Sequence, residues 1–376
     1  MLKIAHITLT MDAGGIEQLI LNMAKSIDRK QFEFSIVCLD GGGLLLHQIK
    51  ELGCKTFVLK RSPGLDIKLI CKLIQLFRSQ KFHIIHAHNQ AALFYAGLSA
   101  KFAMNSSIIT TEHSRHYIDK LIRRRFEKKI LSYITDKWVV VSDKLAEMSM
   151  NRDHINPKRI KVIHNGIDIT KFKKPANINL NEFKKNLDIP IDRKIIIMVA
   201  RFNPVKNHDL LLYAFSRLKN YLDPMPHLLL IGEGTLRNDI IQLSYKLSIN
   251  TFVHFLGFRE DINKLLWISD LFVLCSKTEG LPLSMLEAWA ANVPVLITHS
   301  ANRAGLVKND ENGRVINSDA TSITQGIYEM LSAPENNNKL IQNAYHVVNN
   351  NFSLNRMINE YEEIYKSLWG KNMIQY

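Results

Sequence analysis

The length, composition and charge of the chain exclude several classes of protein. Its 376 residues are enough for two domains of ordinary size, and its 46% apolar and 9% aromatic content suits a globular protein. No apolar run reaches the roughly 20 residues of a membrane-spanning helix. The net charge of +14 leaves nucleic acid, anionic lipid and phosphorylated substrates as partners to be distinguished.

Strand patterns and helix patterns alternate in the first half of the chain. The N-terminal segment "LKIAHITLT" predicts a strand and not a signal peptide, and a Gly-Gly turn separates it from the helix pattern "IEQLILNMAKSI". Four more strand patterns follow, each before polar or helix-forming sequence: "FEFSIVCLD", "HIIHAH", "SIITTEH" and "KWVVVS". This alternation is typical of βαβ units, which build parallel sheets.

A polar stretch at residues 168–192, which contains two prolines, interrupts the alternation. The strand patterns then resume with "KIIIMVAR", "HLLLIGEG", "TFVHFLGF", "DLFVLCS" and "VPVLIT". We therefore predict two doubly wound α/β domains, at residues 1–170 and 190–350. An amphipathic stretch at about residues 355–376 predicts a helix that closes the second domain or packs back on the first.

Two cations stand at a predicted strand end of the second domain, where ligands of such sheets bind. Arg201 closes a strand, and Lys206 precedes a helix that Asn207 or Asp209 is expected to cap. This pair suits a diphosphate, since Arg, Lys and the amides of a helix N-terminus all bind phosphate oxygens. The alternative is a pair of solvated loop cations.

The next two strand ends carry glycine. Gly232 and Gly234 allow a ligand to approach the backbone, although Arg237 replaces the third glycine of a GxGxxG motif. After the following strand, the backbone groups of Phe258 and Arg259 are placed to meet a nucleotide base.

Two glutamates stand eight positions apart between two apolar strands. Pro282 is expected at the first helical position, which leaves the amides of Leu283 and Ser284 free to bind an anion. Glu287 can then accept hydrogen bonds from ribose hydroxyls, and Glu279 can reach the hydroxyls of a sugar. The alternative is one loop acid and one solvated helix acid.

The first domain offers two weaker candidates. Gly14 and Gly15 form either a tight turn that needs positive φ or a loop that lies against the donor phosphates or the acceptor. His113 follows a strand, with His116 close by, and such a histidine is either structural or faces a ligand cleft.

A basic helix is predicted at residues 120–134, from Lys120 to Ile134. Five Lys and Arg residues fall within positions 123–129, and an apolar stripe accompanies them: Leu121, Ile122, Phe126, Ile130 and Ile134. Either the apolar face meets the core and the basic face is solvated, or the helix docks on an anionic inner membrane.

Taken in this order and spacing, the motifs resemble glycosyltransferase family 4, the retaining nucleotide-sugar transferases of the GT-B fold. The resemblance spans nearly the whole chain and is closest to bacterial enzymes that build surface polysaccharides. It rests on Gly14-Gly15, "HIIHAHN", Glu112-His113, "VIHNGID" with Phe172, "ARFNPVKNHD", "GEGTLR", "FLGF" and the E-x7-E motif of Glu279 and Glu287.

The resemblance implies two Rossmann-like domains that face a central cleft, and it implies a role for each candidate. Arg201 and Lys206 would bind the donor diphosphate, Glu287 the ribose and Glu279 the transferred sugar, while His113 would lie near the anomeric centre and Gly15 close to the donor. Residues 298–307 depart from the family pattern, with Gly305 where a glutamate is usual, and His164 replaces a usual proline.

The implied activity is a retaining hexosyl transfer from a nucleotide sugar, with uridine favoured, to a surface-polysaccharide or lipid-linked acceptor. We expect no cofactor and no metal ion, and the sequence has no Asp-x-Asp motif of metal-dependent transferases. The alternatives are a nucleotide-sugar epimerase or another non-transferase enzyme on the same fold, and a nucleic-acid-binding module, which the lack of clustered aromatics disfavours. The four scattered cysteines predict core thiols and a cytoplasmic protein, with a peripheral site on the inner membrane face as an extension.

Overall fold

The computed structural model describes residues 1–12, 14–103, 106–113 and 122–374, with the side chains of residues 122–124 and 371–374 outside the description. The chain forms two compact units. The first comprises Met1–Gly166 and Leu354–Tyr376, and the second comprises Ile167–Ser353. The polar stretch at residues 168–192 therefore belongs to the second unit, which begins just before it.

The first unit is built on a parallel sheet that has seven strands in the described residues. They are β1 Leu2–Thr8, β2 Phe32–Cys38, β3 Lys55–Val58, β4 Ile84–Ala87, β5 Ser107–Glu112, β6 Lys137–Val140 and β7 Ile160–Val162, in the spatial order β3-β2-β1-β4-β5-β6-β7. The helices between them are α1 Gly15–Ser26, α2 Leu46–Glu51, α3 Ile67–Gln80, α4 Gln90–Ala103, α5 Ile122–Ile134 and α6 Asp143–Asn151.

The second unit repeats this plan with a six-stranded parallel sheet. Its strands are β8 Ile195–Val199, β9 His227–Ile231, β10 Val253–Gly257, β11 Leu271–Leu274, β12 Val295–Thr298 and β13 Arg314–Ile316, in the order β10-β9-β8-β11-β12-β13. A short 3-10 turn at Ile169–Phe172 precedes its helices: α7 Leu180–Lys185, α8 His208–Arg217, α9 Arg237–Lys246, α10 Ile262–Trp267, α11 Leu283–Ala290, α12 Ala320–Ser332 and α13 Asn338–Asn351.

Both sheets are doubly wound, because the strand order reverses at the first strand of each. The reversal lies between β1 and β4 in the first unit and between β8 and β11 in the second. The central strands are buried along their whole length, as the apolar runs predict for a parallel sheet covered on both faces. Loops that leave neighbouring strands at such a reversal point diverge and open a crevice, where ligands of these folds bind.

The C-terminal helix, α14 Leu354–Ile374, belongs to the first unit. Tyr361 and Tyr365 are buried, and the Tyr365 hydroxyl lies 2.8 Å from Nδ1 of His86. Glu362 accepts a hydrogen bond from the Asp28 amide near the end of α1. These contacts explain the amphipathic spacing of the segment, since its apolar and phenolic side chains complete the core of the first unit.

Two properties of the whole chain follow from these elements. No helix in the described residues combines the length and the hydropathy that a transmembrane segment requires. The four cysteines are free, and Cys38, Cys54 and Cys275 are core thiols as predicted. The prediction was wrong for Cys71, which is exposed.

Candidate active site

Hydrogen bonds join the loops that follow β8 and β11, on either side of the reversal point of the second sheet. The amide of Lys277 donates to the Val205 carbonyl at 2.8 Å, and Nδ2 of Asn207 donates to the Cys275 carbonyl at 3.3 Å. These bonds hold the loop that carries Lys206 against the loop that carries Glu279.

Lys206 and Glu279 are in direct contact. Nζ of Lys206 lies 2.5 Å from Oε1 of Glu279, and Oγ of Ser276 donates to the same oxygen at 2.5 Å. Both charged side chains are largely shielded, with 21% and 11% of their surface exposed. A partly desolvated ion pair at the carboxyl edge of a sheet is more strongly coupled than a surface pair, so it presents a fixed cation and a fixed anion to a ligand.

Hydroxyl groups from β12 and the following turn support this pair. Oγ of Ser300 donates to the Ser276 carbonyl at 2.7 Å, and it also lies 3.1 Å from Oγ1 of Thr298. Residues 298–307, which depart from the family pattern, close on themselves through two hydrogen bonds between Asn302 and Val307. The segment is therefore a closed turn, and its Ser300 holds the loop that carries Ser276.

Arg201 and the start of α11 add a cation and backbone amide donors to this edge. Arg201 follows β8, and its side chain is exposed and has no hydrogen-bond or ion-pair partner within the described ranges. Leu283 and Ser284 form the first turn of α11, where amides have no acceptor within the helix. Pro282 stands one position earlier than predicted, as the N-cap residue, and this leaves the same two amides free.

Glu287 lies one turn into α11, half-buried, and packs toward the 3-10 turn at Ile169–Phe172. No side chain among the described residues donates a hydrogen bond to its carboxyl group. Burial raises its pKa from 4.5 to about 7, and the positive charge of Lys171 offsets part of this rise. A carboxylate in these surroundings, to which no described side chain donates, can accept hydrogen bonds from the hydroxyl groups of a ligand.

Gly232 and Gly234 are required for a reason that sequence analysis did not give. A Cβ atom on Gly232 would lie 2.3 Å from the Ala200 carbonyl oxygen, and one on Gly234 would lie 2.3 Å from that of Phe202. Both φ angles are positive, at 140° and 155°. The loop after β8, which carries Arg201, therefore approaches these two glycines closely. The glycines leave room for this loop and so fix its position.

Phe258 and Arg259 follow β10 at the far edge of the same sheet. Phe258 is 39% exposed, and Arg259 forms a two-pronged ion pair with Asp261, with N–O distances of 2.8 and 2.7 Å. This pairing raises the pKa of Arg259 and lowers the pKa of Asp261. The guanidinium is thus committed to Asp261, and the contact of the backbone here with a nucleotide base stays a prediction.

His113 and Gly15 belong to the first unit. His113 follows β5 and is buried, with Nε2 located 3.2 Å from Nδ1 of His88, and burial lowers its pKa to about 3. Gly15 is the first residue of α1, and a Cβ atom there would meet nothing within 4 Å. Of the two alternatives for Gly14 and Gly15, the tight turn with positive φ is wrong, because the Gly14 backbone is extended at φ −149°. His116 lies outside the described residues.

Two protein-family models match this chain, one in each half. The model of "Glycosyl transferases group 1" matches residues 180–347, and that of "Glycosyltransferase Family 4" matches residues 13–171. The chain belongs to glycosyltransferase family 4. It is therefore an enzyme that transfers sugars, and the candidate residues of its second unit lie in the part matched by the group 1 model.

Relatives and solved structures agree with this assignment. A UDP-Gal:alpha-D-GlcNAc-diphosphoundecaprenol alpha-1,3-galactosyltransferase of Escherichia coli is 26% identical over 97% of this chain and 96% of its own. A glycosyltransferase structure from Rickettsia africae covers 98% of both chains at 22% identity and a TM-score of 0.83. Anabaena HepE with UDP-glucose covers 98% of this chain and 100% of its own at 18% identity and a TM-score of 0.84. The two units of this transferase have the GT-B fold.

The helix α5 of this transferase differs from the first of the two alternatives for it, in which the apolar face meets the core. Phe126 and Ile130 of the apolar stripe are exposed by 65% and 50%, and Tyr133 beside them is exposed by 69%, so this side of the helix faces solvent. Lys128 is instead buried, and its Nζ lies 2.8 Å from Oε1 of Glu112. Lys120 and Leu121 lie outside the described residues. Among the described side chains of α5, the exposed side is thus more apolar than predicted, and Lys128 is turned away from it.

Sequence analysis missed polar residues that position the site of this transferase. Oδ1 of Asn203 accepts hydrogen bonds from the amides of Val205 and Lys206 at 3.1 and 3.2 Å and so shapes their loop. Ser276 holds Glu279, and His88 holds His113. Asn203, Ser276 and His88 each lie shortly after the end of a strand, as Arg201 and His113 do. This position in the sequence was the signal that could have identified them.

The raised pKa of Glu287 predicts a pH-dependent penalty on folding. The folded protein keeps this proton up to about pH 7, whereas an unfolded chain releases it near 4.5, so ionisation destabilises the fold over that interval. Glu287→Gln cannot ionise, and its stability relative to wild type should rise by about 1–3 kcal/mol between pH 5 and pH 8. Thermal unfolding at both pH values measures this, with the exposed Glu335→Gln as control. An unchanged difference would contradict the raised pKa.

Proposed function

We propose that this transferase moves a hexose from a UDP-sugar to a lipid-linked or polysaccharide acceptor, with retention of anomeric configuration and without a divalent metal ion. The observation that carries the proposal is the contact between Lys206 and Glu279 at the reversal point of the second sheet. It brings a phosphate-binding cation and a hydroxyl-binding acid to the same place.

The diphosphate is bound by groups from the loop after β8 and from the start of α11. Lys206 and Arg201 supply two cations from that loop, and the side chain of Arg201 has no partner among the described residues. The amides of Leu283 and Ser284 supply neutral donors at a helix N-terminus. This set neutralises the charge for which other transferases use a metal ion held by Asp-x-Asp, a motif that the sequence lacks.

The ribose is bound by Glu287. Its carboxyl group has no donor from the described residues and lies one helical turn beyond the amides that bind phosphate. Two vicinal hydroxyls can donate to its two oxygens, which restores the hydrogen bonds that burial removed. The Escherichia coli relative is named as a transferase that uses UDP-Gal, which favours a uridine nucleotide for this chain.

Donor binding rearranges the ion pair. A phosphate oxygen competes with Oε1 of Glu279 for Nζ of Lys206, and the carboxylate that is released accepts hydrogen bonds from the hydroxyls of the sugar. Ser276 remains bonded to Glu279 and keeps it oriented during the exchange. The ion pair thus holds both groups in place before the donor arrives, which lowers the cost of ordering them.

The chemical step cleaves the bond between the anomeric carbon and the diphosphate oxygen. The bonding electrons leave with the diphosphate, where Arg201, Lys206 and the α11 amides stabilise the growing charge. The acceptor hydroxyl oxygen attacks from the same face, and its proton passes to the departing phosphate oxygen. His113 lies beside the transferred sugar in this scheme, and no residue serves as a covalent nucleophile.

A donor and acceptor screen tests the proposed function. Purified protein is incubated with UDP-glucose, UDP-galactose or UDP-N-acetylglucosamine, with and without undecaprenyl-diphosphate-linked saccharides, in the presence of EDTA. We expect one donor to release UDP only when an acceptor is present, and the product to keep the anomeric configuration of the donor. Release of free sugar nucleotide epimers without an acceptor, or a strict requirement for a divalent ion, would contradict the proposal.

We also propose that α5 binds the anionic inner face of the cell membrane, where a lipid-linked acceptor is presented. Phe126, Ile130 and Tyr133 repeat at helical spacing on its exposed side, and aromatic side chains favour the boundary between lipid headgroups and chains. The net charge of +14 attracts such a surface.

Vesicle co-sedimentation tests this surface. Replacement of Phe126, Ile130 and Tyr133 by serine should lower binding to phosphatidylglycerol vesicles by about tenfold or more, because burial of their apolar area is lost. Replacement of Tyr221 and Tyr245, which are exposed in the second unit, by serine is the matched control. Equal binding by the triple variant, or binding that ignores the anionic lipid content, would refute membrane docking by α5.

A further inference from the structure

A row of three buried histidines crosses the first sheet and ends at His113. His6 lies in β1, His88 follows β4 and His113 follows β5, and these three strands are neighbours. Nδ1 of His6 lies 2.8 Å from Nε2 of His88, and Nδ1 of His88 lies 3.2 Å from Nε2 of His113. Neighbouring ring planes differ by only 19° and 21°, so the rings lie nearly parallel along the row.

The hydrogen bonds couple the tautomers of the three rings. Burial lowers the pKa of each ring, so all three are neutral and each carries a single N–H. If His88 carries its proton on Nδ1, then His6 and His113 must carry theirs on Nδ1 as well. If His88 carries its proton on Nε2, then both neighbours must do the same.

The two ends of the row decide between these arrangements. Nε2 of His6 and Nδ1 of His113 have no hydrogen-bond partner among the described residues. Both atoms are buried, but His6 is 0% exposed and stacks on Phe34 at 4.0 Å, whereas His113 is 8% exposed and follows the end of β5. An N–H without an acceptor is costlier than a bare lone pair, and it is costlier at His6 than at His113. The arrangement with every proton on Nδ1 leaves the lone pair at His6 and the free N–H at His113.

The neighbouring His86 takes no part in the row. Its Nδ1 is bonded to the Tyr365 hydroxyl and its Nε2 to Oγ1 of Thr111, both at 2.8 Å. With these partners and the two bonds of the row, the nitrogens of His6, His86 and His88 are engaged in hydrogen bonds, apart from Nε2 of His6. The cluster is therefore explained without a bound metal ion.

We propose that His6 and His88 are positioning residues that fix His113 as the Nδ1–H tautomer, so that it meets the transferred sugar as a neutral hydrogen-bond donor and not as a base. This rests on the proposed role of His113 at the sugar. His6 acts through His88 and makes no contact with substrate. A donor held in advance strengthens a transition-state contact without reorientation during the reaction.

Nitrogen NMR of the full chain labelled with 15N-histidine tests the tautomer directly. In wild-type protein, His113 should show a protonated Nδ1 and a bare Nε2. His6→Phe keeps the stacking on Phe34 but removes the donor to His88, so we expect His113 to become a mixture of tautomers. His6→Asn can still donate from its Nδ2 and should restore the wild-type pattern. His86→Phe, in the same cluster but outside the row, should leave the His113 tautomer unchanged.

Kinetics provide the second readout. His6→Phe should lower kcat by about tenfold and leave the Kd for UDP within about twofold, because the row does not touch the nucleotide. A wild-type His113 that carries its proton on Nε2, or one whose tautomer is the same in His6→Phe, would overturn the inference. A His113→Phe variant with normal kcat would instead remove the proposed catalytic role of His113, while the tautomer measurement still stands on its own.

Discussion

Replacement of Lys206 by alanine should lower kcat by about 10²–10³-fold, which corresponds to ~2.7–4 kcal/mol of transition-state stabilisation for one preorganised donor. Lys206 is half-buried and held by Glu279, so its charge is oriented toward the ligand before the reaction begins. Removing it takes a cation from the departing diphosphate and also leaves Glu279 with Ser276 as its remaining partner. Initial rates of UDP release with the true donor and acceptor measure the effect.

Lys277→Ala is the matched control for this experiment. Lys277 lies in the loop after β11, is exposed, and loses the same charge when replaced, but its side chain does not contact Glu279. Its kcat should stay close to that of wild type. The loss in Lys206→Ala should also equal or exceed that in Glu287→Ala. A nearly normal rate for Lys206→Ala would contradict the assignment of Lys206 to the diphosphate.

Replacement of Glu287 by alanine should raise the Kd for UDP by about 10- to 150-fold, since hydrogen bonds to a charged group contribute roughly 1.5–3 kcal/mol. The carboxyl group has no donor among the described residues, so the ligand is its main source of hydrogen bonds. Titration calorimetry with UDP measures the change, and Glu335→Ala, an exposed acid of the same unit, is the control variant.

A deoxynucleotide makes this test specific to the ribose. Wild-type protein should bind 2′-deoxy-UDP more weakly than UDP, whereas Glu287→Ala should bind the two equally, because the partner of the 2′-hydroxyl is gone. A variant that still distinguishes the two nucleotides as wild type does would show that another residue holds the ribose.

The strands that sequence analysis missed all lie at the edge of a sheet, although the edge strand β10 was found from its apolar run. The central strands are buried on both faces and form continuous apolar runs, which are easily recognised. The unpredicted strands β3, β7 and β13 each lie at the edge of a sheet, and they mix charged with apolar residues, as in "KTFV", "IKV" and "RVI". An edge strand has one partner and one solvated side, so its sequence resembles that of a loop.

The site residues could be chosen from the sequence because each follows a predicted strand, but their contacts could not. Lys206 and Glu279 are 73 positions apart, and their meeting depends on the sheet order that places β8 beside β11. The role of Gly232 likewise depends on the loop after β8, which occupies the space beside it. Local spacing carries no information on such neighbours.

The helix α5 shows a different limit of sequence patterns. Its periodicity predicted an amphipathic helix, but periodicity does not reveal which face meets the core. Lys128 turns inward because the buried carboxylate of Glu112 offers it a partner at 2.8 Å, and Glu112 lies on β5 of the same unit. Phe126 and Ile130 are then left on the exposed side.

We expect the loops after β8 and β11, together with the start of α11, to bind the donor of the sugar transfer, and a crystal structure of the chain with UDP measures this. Diphosphate oxygens should lie within hydrogen-bond distance of Arg201, Lys206 and the amides of Leu283 and Ser284. The ribose hydroxyls should lie on Glu287. A nucleotide bound elsewhere, with the ion pair between Lys206 and Glu279 intact, would contradict this expectation.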